Sequence, residues 1–192
     1  MELPRPLRAA IDVELAGVPG ASLREASDTL TGRYRAEVRD GRLHLSNEIF
    51  AKAYIAARMP ATFAALMAAM SALTETMPEF APKSLLDVGA GPGTSLWAAT
   101  QTFAEIEAAT LLEASASVRQ VGERLAVGAF PFRPDWKSGT IVEQGGALPR
   151  ADLVTLSYVL DELDPNAARS LIDLLWGRTT GVLLLVEPGT PG

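Results

Sequence analysis

The segment Ser84–Thr94, with the sequence SLLDVGAGPGT, constrains the fold most, because an apolar run passes directly into a loop with three glycines. Glycine lets the backbone turn sharply and lets a ligand approach without a Cβ in the way. In a doubly wound parallel sheet, the loop after the first strand lies at the edge where ligands bind. The segment therefore predicts a strand, a ligand-binding loop and a helix start, with loop contacts from Gly89, Ala90, Gly91 and Gly93.

Short apolar runs alternate with helical patterns through the rest of the chain. This alternation is typical of a parallel sheet covered by helices on both faces, so the sequence predicts an α/β, Rossmann-like fold. The predicted strands are Leu85–Val88, Ala109–Leu112, Thr140–Glu143, Leu153–Leu156 and Val182–Val186. The predicted helices are Ser95–Phe103, Ser117–Ala126 and Pro165–Trp176, the last with Asp164 as its N-cap.

The residues before the glycine loop show a different pattern, with apolar side chains three or four positions apart. They predict the helices Pro6–Leu15, Ala21–Val38, Ser46–Arg58 and Pro60–Thr76. The segment PEFAPK, residues 78–83, reads as a linker. We therefore predict an N-terminal helical region over residues 1–78 and a ligand-binding domain over residues 79–192.

Charge and composition exclude several classes of site. The chain has a formal net charge of -6 and no cysteine, and His44 is its single histidine. A thiolate or histidine metal cluster is therefore excluded, and a broad electrostatic footprint on nucleic acid is disfavoured. The start of the chain lacks the apolar core of a signal peptide, and Lys52, Arg58 and Pro60 interrupt the most apolar region. These features predict a cytoplasmic protein with no membrane partner and no metal.

One short stretch, RYRAEVRDGR, concentrates basic charge. An arginine cluster with an interleaved aromatic residue can contact RNA. Acidic residues are also interleaved in this stretch, which favours a salt-bridged face exposed to solvent. The residues concerned are Arg33, Tyr34, Arg35, Glu37, Arg39, Asp40 and Arg42.

The neighbours of the glycines favour S-adenosylmethionine as the ligand. Asp87 places a carboxylate just before the loop, which suits a ligand with an ammonium and a sulfonium better than a pyrophosphate. Pro92 removes a backbone N–H that a phosphate would need. Glu113, at the end of the second predicted strand, is placed to accept hydrogen bonds from ribose hydroxyls. NAD, and a simple turn with no ligand, are the alternatives.

Two further residues are candidates for the cofactor site. Gln144 follows the third predicted strand and could approach the adenine edge, with an exposed loop position as the alternative. Tyr158 follows the fourth strand and could pack over the cofactor or the methyl acceptor, with the start of an amphipathic helix as the alternative. Asp161 and Glu162 resemble an acid–base pair, but acidic residues in a first helical turn are also favoured by the helix dipole, which is the preferred interpretation. No catalytic residue is assigned.

Several motifs together resemble a known family. LLDVGAGPGTSLWAA, TLLEAS, DLVTLSYVLDEL and LLLVEPGTPG, with AYIAARMPAT upstream, are similar to bacterial and mitochondrial methyltransferase-like proteins associated with the small ribosomal subunit. The resemblance covers roughly residue 46 to the end. It implies a seven-stranded S-adenosylmethionine-dependent methyltransferase fold, with cofactor contacts at Asp87, Gly89, Gly91 and Glu113. It also implies a role in methylation of small-subunit rRNA or in subunit assembly.

The chain departs from the family pattern in two ways. Family members continue past EPGTPG with more strands and often a cysteine cluster, so this chain is expected to lack the last strands of the fold. Enzymes that methylate exocyclic amines carry an Asn/Asp-Pro-Pro-aromatic motif after strand four, where this chain has Leu156-Ser157-Tyr158-Val159. The alternatives to an rRNA methyltransferase are a non-catalytic assembly factor and a small-molecule methyltransferase.

Overall fold

The computed structural model describes residues 2–35, 47–144, 146–160 and 163–189. Seven residues named in the sequence analysis lie outside these ranges: Glu37, Arg39, Asp40, Arg42, His44, Asp161 and Glu162. The helices are α1 (Arg5–Leu15), α2 (Gly20–Arg35), α3 (Glu48–Ala57), α4 (Met59–Thr76), α5 (Thr94–Thr102), α6 (Ala116–Leu125), α7 (Ile141–Gln144) and α8 (Pro165–Arg178). The strands are β1 (Ser84–Val88), β2 (Ala108–Glu113), β3 (Asp135–Ser138), β4 (Ala151–Ser157) and β5 (Thr179–Val186).

The five described strands form one sheet in the order β3-β2-β1-β4-β5, and every pair is parallel. This order confirms the predicted α/β, Rossmann-like class. β1 lies between β2 and β4, so the chain reverses its winding direction beside β1. A crevice for ligands forms at such a switch point, outside the carboxyl ends of the strands.

The third strand was predicted wrongly. Residues 140–143 were expected to be a strand, but the strand is Asp135–Ser138, and the predicted segment overlaps α7 at residues 141–143. β3 is an edge strand with a single apolar residue, Trp136, so it lacks the apolar run of a buried strand. Thr140 and Glu143 form a capping box, in which Glu143 Oε2 accepts from Thr140 N at 2.8 Å and Glu143 N donates to Thr140 Oγ1.

The sheet has a buried core on each face. Successive residues of a strand point to opposite faces, and β1 shows this alternation. Leu85 belongs to the core that contains α4, α5 and α6, whereas Leu86 and Val88 belong to the core that contains Leu171 and Leu175 of α8. Asp164 accepts hydrogen bonds from the N–H groups of residues 166 and 167, which confirms it as the N-cap of α8.

The N-terminal helices pack on the α5 and α6 side of the sheet. Arg124 of α6 donates to Glu14 of α1 at 2.6 and 2.8 Å, and also to Glu48 of α3. The hydrogen bond from Arg124 lowers the pKa of Glu14 although burial opposes it. α4 ends at Thr76 and β1 begins at Ser84, so the boundary predicted at residue 78 falls between them. The division into two domains stays a prediction.

None of the described helices is by itself long and apolar enough to cross a membrane. One pair, α3 with α4, passes that test jointly, by length and composition only, across a bend of 57°.

Asp152 joins the amino ends of three strands. Its carboxylate accepts from the N–H groups of Lys83 and Ser84 at 2.9 and 3.1 Å and from Thr180 Oγ1 at 3.0 Å. Burial raises the pKa of Asp152, but these hydrogen bonds outweigh burial and the net pKa is lowered. The ionised form therefore stabilises the fold above the unfolded pKa of about 3.9, and this contribution is lost as the pH falls through the folded pKa.

We expect Asp152→Ala to lower the free energy of unfolding by about 1 kcal/mol at neutral pH, since the carboxylate is partly exposed and screened by water. The difference from the unsubstituted protein should shrink below pH 4 or so. Urea denaturation at neutral pH and below pH 4 measures the difference in the free energy of unfolding. Asp173→Ala is the control, because Asp173 is exposed. A difference that does not change with pH would contradict the assignment.

Candidate functional site

A cavity of about 400 Å³ opens at the carboxyl ends of β1, β2 and β4. Its walls come from the glycine loop, the end of β2, the start of α7, the loop after β4 and two N-terminal helices. The lining residues used below are Tyr54, Thr62, Val88, Gly89, Ala90, Gly91, Thr94, Glu113, Ile141, Val142, Tyr158, Val159 and Leu163. The cavity therefore lies where the strand order predicts a ligand crevice.

The glycine loop has a backbone that favours glycine at three positions. Gly89, Gly91 and Gly93 have φ values of 65°, 55° and 85°, in the left-handed region. A Cβ on Gly89 would lie 2.6 Å from Val159 Cγ2, whereas a Cβ on Gly91 would meet no atom of the described residues within 4 Å. Gly89 is thus required by packing, while Gly91 leaves open space at the cavity. Gly93 is the N-cap of α5 and does not line the cavity.

Glu113 lines the cavity at the tip of β2 and is 9% exposed. Its Oε2 accepts from Gly91 N at 2.9 Å, and its Oε1 accepts from Ser115 N at 2.7 Å. Burial raises the pKa of Glu113, although these backbone hydrogen bonds oppose the shift. Each carboxylate oxygen can accept more than one hydrogen bond. Glu113 can therefore hold the glycine loop and still accept from a ligand.

Asp87 is fully buried, one residue before the cavity-lining Val88. Its Oδ1 accepts from Thr155 Oγ1 at 2.7 Å, and its Oδ2 has no hydrogen-bond partner among the described residues. Burial raises the pKa of Asp87 to about 7, although the hydroxyls of Thr155 and Ser95 oppose the shift. Asp87 does not line the cavity, so it would act on a ligand through its charge in a region of low dielectric.

The remaining predicted residues separate into two groups. Ala90 and Tyr158 line the cavity, and Tyr158 has a left-handed φ of 58°. Burial raises the pKa of the Tyr158 phenol, and the charge of Glu187 adds to the shift. Gln144 is the last residue of α7 and is not among the lining residues.

Two lining residues come from the N-terminal helices and were not predicted. Tyr54 of α3 and Thr62 of α4 face the cavity, and Tyr54 Oη donates to Thr62 Oγ1 at 3.2 Å. Burial raises the pKa of Tyr54. Both residues lie in the motif AYIAARMPAT, which was the available signal. Ile141 and Val142 line the cavity from the segment predicted as a strand.

The ionisable residues of the cavity define which ligands it suits. The described lining residues include one carboxylate, Glu113, two tyrosines, and no lysine, arginine or histidine. A pyrophosphate would find no cationic side chain among these described residues, whereas a ligand with apolar surface and positive charge would meet compatible groups.

Known structures resemble this fold. An O-methyltransferase family protein from Burkholderia thailandensis superposes with a TM-score of 0.62 and 14% identity, covering 85% of this chain and 51% of that chain. The plantazolicin methyltransferase BpumL, in complex with a monoazolic desmethylPZN analog and SAH, superposes with a TM-score of 0.54 and 13% identity, covering 86% of this chain and 60% of that chain. At these identities the likeness establishes the fold alone, which is that of methyltransferases.

The sequence relatives are more specific. The chain is 31% identical over 144 residues to the human protein "Ribosome assembly protein METTL17, mitochondrial". This alignment covers 71% of the present chain. The chain spans 31% of the length of that relative. The family model described as "Mitochondrial small ribosomal subunit Rsm22" matches residues 48–192, well over half of the chain. The resemblance drawn from the motifs is confirmed, and the chain belongs to the Rsm22 family.

Proposed function

We propose that the cavity binds S-adenosylmethionine. The observation that carries the proposal is the double role available to Glu113, which holds Gly91 by its backbone N–H and faces the cavity beside it. A carboxylate at this position is placed to accept from ribose hydroxyls. The open space at Gly91 supports the fit, because it leaves room for a ligand against the loop.

The other parts of the cavity suit the other parts of this cofactor. Ile141, Val142 and Leu163 offer apolar surface for an adenine ring. Asp87 precedes Val88 of the cavity wall in the chain and keeps a buried oxygen without a partner among the described residues, and its charge would favour a cationic amino-acid end. The described lining residues include no basic side chain, and Pro92 removes a loop N–H that a pyrophosphate would need; both observations support this cofactor over NAD. Roles for Gly93 and Gln144 would be indirect.

Bound S-adenosylmethionine supplies a methyl group on a sulfonium. The residues of this chain would bind it, orient it and exclude water, and positioning of this kind is worth about 7–11 kcal/mol of a reaction barrier. Three residues that line the cavity carry hydroxyl groups, namely Tyr54, Thr94 and Tyr158.

Membership of the Rsm22 family and similarity to a ribosome assembly protein support a role for this chain in assembly of the small ribosomal subunit. We propose that it acts on the subunit or its rRNA as a methyltransferase or methyltransferase-like protein. A non-catalytic assembly factor and a small-molecule methyltransferase are the alternatives. The cytoplasmic location stays a prediction.

Calorimetric titration of S-adenosylmethionine into the protein, with NADH as the comparison, tests the cofactor. We expect saturable binding of S-adenosylmethionine and none of NADH. Binding of NADH alone, or of neither compound to the folded protein, would overturn the proposal.

Complementation separates the three roles. A strain that lacks the gene is supplied with the unsubstituted gene or with Glu113→Ala, and subunit profiles and rRNA methylation are measured. Methylation that only the unsubstituted gene restores supports the enzyme. Rescue of assembly by both supports a binding module, and unchanged ribosomes in the deletion strain would refute a ribosomal role.

The affinity for S-adenosylmethionine should depend on pH through Asp87. With a pKa of about 7, Asp87 is partly protonated at neutral pH, and a cation favours the ionised form, so binding releases a proton. We expect binding to tighten by about fivefold from pH 6 to 7.5. Glu113, whose pKa burial also raises, acts in the same direction. In Asp87→Asn the affinity should depend less on pH. An equal pH dependence in this variant and in the unsubstituted protein would contradict the coupling between binding and ionisation of Asp87.

A further inference from the structure

Glu187 follows β5 and reaches across to the loop after β4. Its Oε1 accepts from the backbone N–H groups of Val159 and Leu160, at 3.1 and 3.0 Å. Two N–H groups thus share one carboxylate oxygen, an arrangement in which charge strengthens both hydrogen bonds. A residue at the end of one strand therefore holds the loop that leaves the neighbouring strand.

The same loop has a second attachment to β5. Tyr158 N donates to Val186 O at 2.9 Å, and Tyr158 adopts a left-handed φ of 58°. This backbone conformation is unfavourable for a residue with a Cβ and persists only where its surroundings enforce it. The hydrogen bonds on the next two residues, both to Glu187, supply such enforcement.

The loop then contacts the glycine loop. Val159 Cγ2 occupies the space beside Gly89, where even a single added Cβ would approach it to 2.6 Å. Tyr158 and Val159 also line the cavity. The chain of contacts therefore runs from Glu187 through Val159 to Gly89, and any shift of the loop would change the cavity wall.

Glu187 is placed for positioning rather than for contact with a ligand. It is not among the lining residues, and its Oε2 is enclosed with no hydrogen-bond partner among the described residues. Its other oxygen is engaged by the loop.

We propose that Glu187 is a positioning residue that holds the Tyr158 turn and thereby sets the Val159 wall of the cavity. The effect on ligand affinity rests on the proposed function, whereas the effect on the turn does not. The conservative variant Glu187→Gln keeps a carbonyl oxygen that can accept both N–H groups. Glu187→Ala removes the acceptor altogether.

Hydrogen exchange at the amides of Val159 and Leu160, measured without ligand by mass spectrometry, tests the turn directly. We expect about tenfold faster exchange in Glu187→Ala and rescue to within about threefold in Glu187→Gln. The affinity for S-adenosylmethionine, measured by titration, should follow the same order among the variants, with about tenfold weaker binding in Glu187→Ala.

Asp152→Ala is the matched control, because Asp152 also accepts from two backbone N–H groups but at the opposite edge of the sheet. Its exchange at Val159 and Leu160 should match that of the unsubstituted protein. Equal acceleration in both alanine variants, or none in Glu187→Ala, would overturn the proposal. The unsubstituted protein could fail to bind S-adenosylmethionine while the amide exchange rates of the variants still follow the expected order. That result would refute the cofactor assignment and support the positioning role of Glu187.

Discussion

Glu113→Ala is expected to weaken the binding of S-adenosylmethionine by about 100-fold or more. The substitution removes the carboxylate proposed to accept from the ribose, and hydrogen bonds to a charged group are worth about 1.5–3 kcal/mol each. It also leaves the N–H groups of Gly91 and Ser115 without their present acceptor, which loosens the glycine loop. Calorimetric titration beside the unsubstituted protein measures the change.

Glu113→Gln tests whether the carboxylate itself is needed. Each carboxylate oxygen of Glu113 faces a backbone N–H, so an amide would place its own N–H₂ group against one of these donors. We therefore expect Gln to fail as a substitute, in contrast to its expected success at Glu187.

The control for Glu113 is Glu107→Ala, an exposed glutamate just before β2. Its affinity should equal that of the unsubstituted protein. Binding by Glu113→Ala within a few-fold of this control would show that the ligand does not depend on Glu113.

Phe63→Ala should lower the free energy of unfolding by about 3–5 kcal/mol, the usual cost of removing a buried aromatic side chain. Phe63 of α4 is 2% exposed and belongs to the same buried cluster as Leu96 of α5 and Leu85 of β1. The cavity left by the substitution would lie between the N-terminal helices and the sheet. Thermal or urea denaturation followed by circular dichroism and tryptophan fluorescence measures the loss.

The shared cluster also predicts that the helices and the sheet unfold together, so both signals should shift by the same amount. Val13→Ala in α1, where the side chain is 77% exposed, should change stability by less than about 0.5 kcal/mol. Two separate transitions, with only the first moved by Phe63→Ala, would instead support independent folding of residues 1–78.

The local pattern of apolar residues was sufficient to predict most of the strands and helices. The central strands are short apolar runs, and the helices have apolar residues at helical spacing. β1, β2, β4 and β5 were predicted close to their observed bounds for this reason. β3 was not, because an edge strand carries little apolar signal, and the β-branched residues of Thr140–Val142 outweighed the capping box with Glu143.

The glycine loop and the acidic residues at the ends of β1 and β2 could be predicted from the sequence, since they follow from strand ends and backbone conformation. Three features are evident only in the folded chain: Tyr54 and Thr62 reach the cavity, Gln144 does not line it, and Glu187 holds the loop after β4. The reason is physical: these contacts join residues far apart in the chain, and no periodicity or spacing records which distant segments pack together.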